Sequence, residues 1–194
     1  MPVGLHIAAT RIIPVCLLFK FIGIIYPDEI LPARVSLSKI PAEQISSYHL
    51  FRDPKRQIPN DRVIPYDLNT PHFADYATLH RFIWLPEGKT IIYQDNDTLR
   101  FPIGAVLVLT VGYPNDMRNA SKGESIIETW LLTSTKEGWT GSQYFWDKET
   151  TEAWLSVAGG STNVSWIHHD GQRRKHAFHM PNKNQCKQCH ETAG

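Results

Sequence analysis

Residues 186–190 read CKQCH: Cys186 and Cys189 are two residues apart, with His190 directly behind them. Thiols at that spacing suit the two vinyl groups of one porphyrin, because a single turn of chain presents both sulfurs to neighbouring pyrroles. The imidazole that follows is then swung beneath the iron. The spacing predicts haem c held covalently by Cys186 and Cys189, with His190 as the proximal iron ligand. Only three cysteines occur, the third being Cys16, so there is no disulfide framework and cysteine use is concentrated in this motif. The second axial position stays open. No methionine follows His190, and the upstream candidates are His176, His179, Met180 and Met117. In HAFHM (176–180), strand alternation puts His176 and Phe178 on one face and His179 on the other.

Other chemistry fits the same residues. Zinc would take Cys186 and Cys189 with two of His168, His169, His176, His179 and His190. A CxxC dithiol could exchange disulfides, but that chemistry usually sits on a βαβ pattern, which the sequence lacks. An inert tail is the plainest alternative. A second constellation, Asp67, Asn69, His72 and Asp75, could bind a cation or do acid–base work, although turn-capping is the preferred reading of Asp67 and Asn69. NDT (96–98), NAS (119–121) and NVS (163–165) match glycosylation acceptors, which matter only in a eukaryotic secretory pathway. No nucleophile elbow, phosphate loop or triad is legible.

The elements that must position the motif are β-like. The 194 residues suit one ordinary domain with extensions; 42% are hydrophobic and 20% charged, which are globular values. A net charge of +1 gives no reason to expect a nucleic-acid partner. Residues 1–26 read as an export signal or N-terminal anchor. Within them IIPVCLLFKFIGIIY (12–26) is apolar apart from Lys20 and follows Arg11. It falls short of the roughly 20 residues a membrane span needs. Export fits the motif, because haem c is attached outside the cytoplasm. Residues 27–61 form a proline-rich, extended lead-in, with a short helix expected around Pro41–Tyr48.

From about residue 62 to 180, strand-like runs alternate with turns. RFIWL, TIIY, AVLVLTVGY, SIIETWLLTS, WTGSQYFW, TEAWLSVA, VSWIHH and RKHAFHM are divided by PEG, QDND, KEG, DKET, GGSTN and DG. The pattern predicts a mainly β fold, an antiparallel β-sandwich or barrel-like domain. The longer runs are apolar on both faces, as in the middle of a layered core. Residues 181–194 would then begin a separate haem-attachment segment.

Four stretches, in order, carry a family resemblance: VIPYDLNTPHFADYATLHRFIWLPEG (63–88), FPIGAVLVLT (101–110), IIETWLLTSTKEGWTGSQYFWDKETTEAWL (126–155) and HMPNKNQCKQCH (179–190). Together they resemble a family of exported, largely uncharacterised bacterial c-type haem proteins. The resemblance implies a β-rich domain followed by a cytochrome c-like region, with Cys186, Cys189 and His190 at the haem-binding positions. It implies a periplasmic or cell-envelope location, a redox partner protein and electron transfer. Some members look to be encoded beside parallel β-helix proteins, which suggests such a protein as an envelope partner. Members look to continue well past the motif and carry a second CxxCH, so a C-terminally truncated chain is the expectation here. Beside this stands a different expectation, a secreted all-β binding module whose Cys/His cluster holds zinc or no cofactor.

Overall fold

The computed structural model describes residues 31–36, 40–71 and 73–182. The export-signal expectation for residues 1–26 and the CKQCH motif therefore lie outside the described residues. Ten strands pair antiparallel into three sheets, and there is no α-helix among the described residues. The fold is mainly β, as the punctuated sequence pattern predicts, and no sheet closes into a barrel.

The main sheet has six strands in sequence order. They are β3 (Val63–Pro65), β4 (Thr78–Trp84), β5 (Val106–Pro114), β6 (Glu124–Thr135), β7 (Gly138–Trp146) and β8 (Ala153–Ser156). Two smaller pairs flank it: β1 (Phe51–Asp53) with β2 (Ile58–Pro59), and β9 (Gly160–Ile167) with β10 (Arg173–Met180). Short polar turns make this meander the simplest path for the chain. The β6–β7 connection is one: Thr135 Oγ1 donates to the Gly138 carbonyl at 2.8 Å and accepts from the Glu137 amide.

Pairing register sorts the side chains into two faces. One face is sealed. Its Val106, Val108 and Thr110 on β5 are at most 1% exposed, and Phe82, Trp84, Leu131, Tyr144 and Ala153 join the two valines in one core cluster. The lid over this face is the lead-in, which packs Ile45, Tyr48 and Leu50 into the same cluster. Its edge is stitched to β8, because the Leu155 amide donates to the Glu43 carbonyl at 2.9 Å. Truncating a buried leucine such as Leu50 to alanine typically costs about 2–5 kcal/mol. The short helix expected at Pro41–Tyr48 is a 3-10 helix over Ile45–Tyr48.

The other face is only half covered. Leu107 and Leu109 on β5, Trp130 and Leu132 on β6, and Ile83 on β4 point there, and all are partly exposed. The β9–β10 hairpin covers one end, where Ala77, Tyr113 and Ile127 meet Val164, Trp166 and Phe178. Ile127 is the extra residue of a bulge on β6: Val111 pairs with Glu128, but Gly112 pairs with Ile126. Runs apolar on both faces thus belong to a sheet with one closed and one half-open side.

One predicted strand is missing. TIIY (90–93) makes a single bridge, Ile92 to Arg100, and Ile92 and Tyr93 are 55% and 73% exposed. Those apolar residues have no sheet face to bury against, so β propensity alone does not hold them in a ladder.

Candidate functional site

β10 is the element that delivers the chain to the motif. Arg173 through Met180 pair one for one with Ile167 through Gly160, so the strand is regular to its last residue. Its burial alternates: His176, Phe178 and Met180 are half-buried, whereas Lys175, Ala177 and His179 are exposed. The ring of Phe178 meets Tyr113 edge-on at 6.1 Å, which fixes the inward side of the strand as the one facing the sheet. The three candidate ligands on β10 are thus divided. His176 and Met180 share the inward side, and His179 points the other way, as period-two alternation predicts.

A tight contact positions the exit. Gly159 has φ +71, and a Cβ there would lie 2.5 Å from the Met180 carbonyl oxygen and 2.9 Å from the Asn182 amide nitrogen. Residues 180–182 run directly over this glycine, which only a residue without a side chain permits. Cys186, Cys189 and His190 follow within ten residues but lie outside the described residues. An imidazole at His176 and a thioether at Met180 are both iron-ligand types, so the described end of β10 has donors that suit a haem.

The remaining histidines sit elsewhere. His168 and His169 lie at the turn end of the hairpin, seven β10 residues or about 23 Å from Met180. There the ring of His168 stands 4.9 Å from that of Tyr76, and its Nδ1 is 3.1 Å from the Met117 sulfur. Met117, an upstream ligand candidate, therefore belongs to the end of the hairpin opposite Met180. Asp116 and Arg118 brace the same end by two parallel hydrogen bonds, and this pairing pulls the Asp116 carboxyl down to about 2. Among the described residues no group of three or more His, Cys, Asp or Glu is placed to hold a metal ion.

The polar stretch before β4 gathers nothing. Asp67, Asn69 and Asp75 are exposed and His72 lies outside the described residues. Asn119 of the NAS acceptor caps a 3-10 turn, its side chain accepting from the Ser121 amide at 3.0 Å.

Two polar features were not legible in the sequence. Glu128 is 3% exposed on the half-open face and accepts from Gln143 Nε2 at 2.7 Å. Burial raises its pKa, against the opposing pull of the Trp130 and Gln143 donors. On the sealed face His80 Nε2 lies 2.6 Å from Glu124 Oε1. Glu128 and Gln143 sit on neighbouring strands, and His80 on β4 reaches Glu124 on β6 across β5, so only the strand order and register reveal the two pairs. A cleft of about 540 Å³ near Pro41, Tyr48 and His49 is lined by the lead-in alone.

Comparison with known proteins adds no assignment: no protein-family model, no curated protein and no solved structure matches the chain.

Proposed function

We propose that this is a c-type haem-binding protein of the bacterial cell envelope that works in electron transfer. CKQCH carries the reading, following directly on a strand whose inward side offers His176 and Met180. Cys186 and Cys189 would hold the group by each adding across one of its vinyl groups. Sulfur would bond one carbon and the thiol proton would go to the other, so attachment would consume no oxidant. His190 would be the residue that ligates the iron. Iron in such a group supplies a reversible one-electron change. The β domain orients the group and meets a redox partner, for which an envelope β-helix protein is a candidate.

Expression in a periplasm equipped for haem c attachment tests this. The denatured full chain should keep peroxidase-active haem on a gel. Colourless protein with one zinc per chain would instead establish the binding-module alternative. Cys189→Ala should leave one thioether at most, and an unchanged c-type pyridine haemochrome spectrum would contradict the assignment.

A further inference from the structure

Where the turn end of the β9–β10 hairpin meets the chain leaving β5, two soft donors are held against each other. His168 Nδ1 lies 3.1 Å from the Met117 sulfur, although 51 residues separate them. Backbone hydrogen bonds fix both partners. The Met117 amide donates to the Ile167 carbonyl at 2.9 Å, and the Ile167 amide donates to the Asn115 carbonyl at 3.1 Å. His168 closes the hairpin itself: its amide donates to the Gln172 carbonyl and its carbonyl accepts from the Gly171 amide, each at 2.9 Å. The Tyr76 ring stands edge-on to the imidazole at 4.9 Å. Tyr76 has φ +67, a left-handed backbone that costs a residue with a side chain about 1–3 kcal/mol, and strain of this kind gathers at ligand sites.

The donor types narrow the ion. A thioether is a soft ligand, and beside an imidazole it suits copper(I) and not magnesium or calcium. Two donors sharing one ion stand roughly 3–4 Å apart, given bonds of about 2.0 Å to nitrogen and about 2.3 Å to sulfur. The observed 3.1 Å is inside that range. With its proton on Nε2, the His168 ring leaves the Nδ1 lone pair free for the ion. The His169 ring, centred 5.3 Å from that of His168, is within reach as a third donor. Among the described residues no three His, Cys, Asp or Glu gather to hold a metal, so the ligand set that zinc takes is lacking here. Charge points the same way. Asp116 pairs with Arg118 at 2.9 Å and Asp170 with Arg174 at 2.5 Å, so the flanking charges are balanced and a singly charged ion is the easier one to accommodate.

The geometry points to a binding site for a soft monovalent cation, copper(I), held between the Met117 sulfur and His168 Nδ1, with His169 as the third ligand. Two backbone segments pinned to each other set the donor spacing before any ion arrives, which is what a preformed site requires. The site lies at the end of the hairpin opposite Met180 and uses none of the residues of the proposed function. The competing account of the contact is an N–H···S hydrogen bond, in which the sulfur accepts a proton and no ion.

The test uses the full chain carrying Cys16→Ala, Cys186→Ala and Cys189→Ala, because free thiols compete for copper(I). Such a chain attaches no haem, so the outcome is independent of the haem reading. Copper(I) is supplied without oxygen from a coloured chelator complex, and the methionine methyl groups are isotope-labelled for NMR. One copper per chain should bind, and the Met117 methyl signal should shift while that of Met180 stays. Met117→Leu nearly conserves side-chain volume and should weaken binding by roughly tenfold or more. His168→Gln should do the same, and His169→Ala should weaken it less. Copper(I) should raise the thermal midpoint of the thiol-free chain and leave that of its Met117→Leu form unchanged. An unmoved Met117 signal at saturating copper(I), or equal binding by Met117→Leu, overturns the site and leaves the hydrogen bond as the whole content of the contact. A shift of the same size with zinc alone overturns the assignment of a soft ion.

Discussion

The hydroxyls of Tyr48 and Tyr144 meet at 3.0 Å and close a hydrogen-bonded ring through one residue of the lead-in. The Ala42 amide donates to Tyr48 at 2.7 Å, and Tyr144 donates to the Ala42 carbonyl at 2.9 Å. Since the Tyr144 proton is committed to that carbonyl, the Tyr48 proton must serve the contact between the two hydroxyls. Burial pushes the Tyr144 hydroxyl well above its ordinary range, so it stays a donor at any working pH. Tyr144→Phe strands the Tyr48 proton and the Ala42 carbonyl together. The expected loss is about 2–3 kcal/mol. For a chain of this size that lowers the thermal midpoint by about 5–10 °C. Removal of the lead-in from the core should follow, read as faster amide exchange over residues 42–50.

Glu128 predicts a pH dependence of the opposite kind to ordinary acid lability. Its folded-state pKa is raised by burial, so the folded protein holds the proton more tightly than the unfolded chain. Stability from this group is therefore greatest below the unfolded value and declines as pH rises through the folded one. Glu128→Gln removes the titration and keeps an oxygen to accept from Gln143. The midpoint of the variant minus that of the wild type should grow from pH 4 to pH 7, measured by thermal unfolding at each pH. A difference that is flat across that range would show that Glu128 ionises in the fold at no cost.

How far the sequence reaches is clear from these residues. Alternation and turn chemistry are local, so the positions of β4, β5, β6, β7 and β10 were legible, as was the division of His176 from His179. Pairs such as Tyr48 with Tyr144 were not, because 96 residues separate them and only the packed lead-in joins them. Glu128 reads as an ordinary charge in IIETW, whereas in the fold it is buried and partnered by Gln143 across the ladder. TIIY failed for the converse reason, a local propensity without a neighbouring strand to use it. The proposed attachment residues Cys186, Cys189 and His190 rest on spacing alone, since thioether chemistry needs only two thiols and an imidazole in order.

Gly159 tests how firmly the exit from β10 is held. Gly88 has a similar φ, +66, but a Cβ there meets nothing within 4 Å. Gly88→Ala should thus cost only the backbone strain of a left-handed alanine, about 1–2 kcal/mol. Gly159→Ala adds a collision with the Met180 carbonyl and the Asn182 amide, so its cost should be larger. It should also speed amide exchange at the end of β10, which Gly88→Ala leaves unchanged. Equal effects from the two variants would mean that residues 180–182 do not rest on Gly159 in solution.

The two sides of β10 make different predictions for the haem-loaded chain. Met180 and His176 face inward, and a methionine on the iron gives a higher reduction potential than a second histidine. Met180 is six residues before Cys186, a separation that extended chain could span over at most about 20 Å. Met180→Ala should therefore lower the potential and open the iron to added imidazole. His176→Ala should leave both measurements unchanged when Met180 is the ligand. The pattern should reverse when His176 holds the position, with potential starting low and imidazole binding appearing in His176→Ala instead. His179 is exposed on the outer side, so His179→Ala should change neither reading in either case. A loss of axial ligation in His179→Ala would require β10 to turn over after residue 178, which its register with β9 opposes.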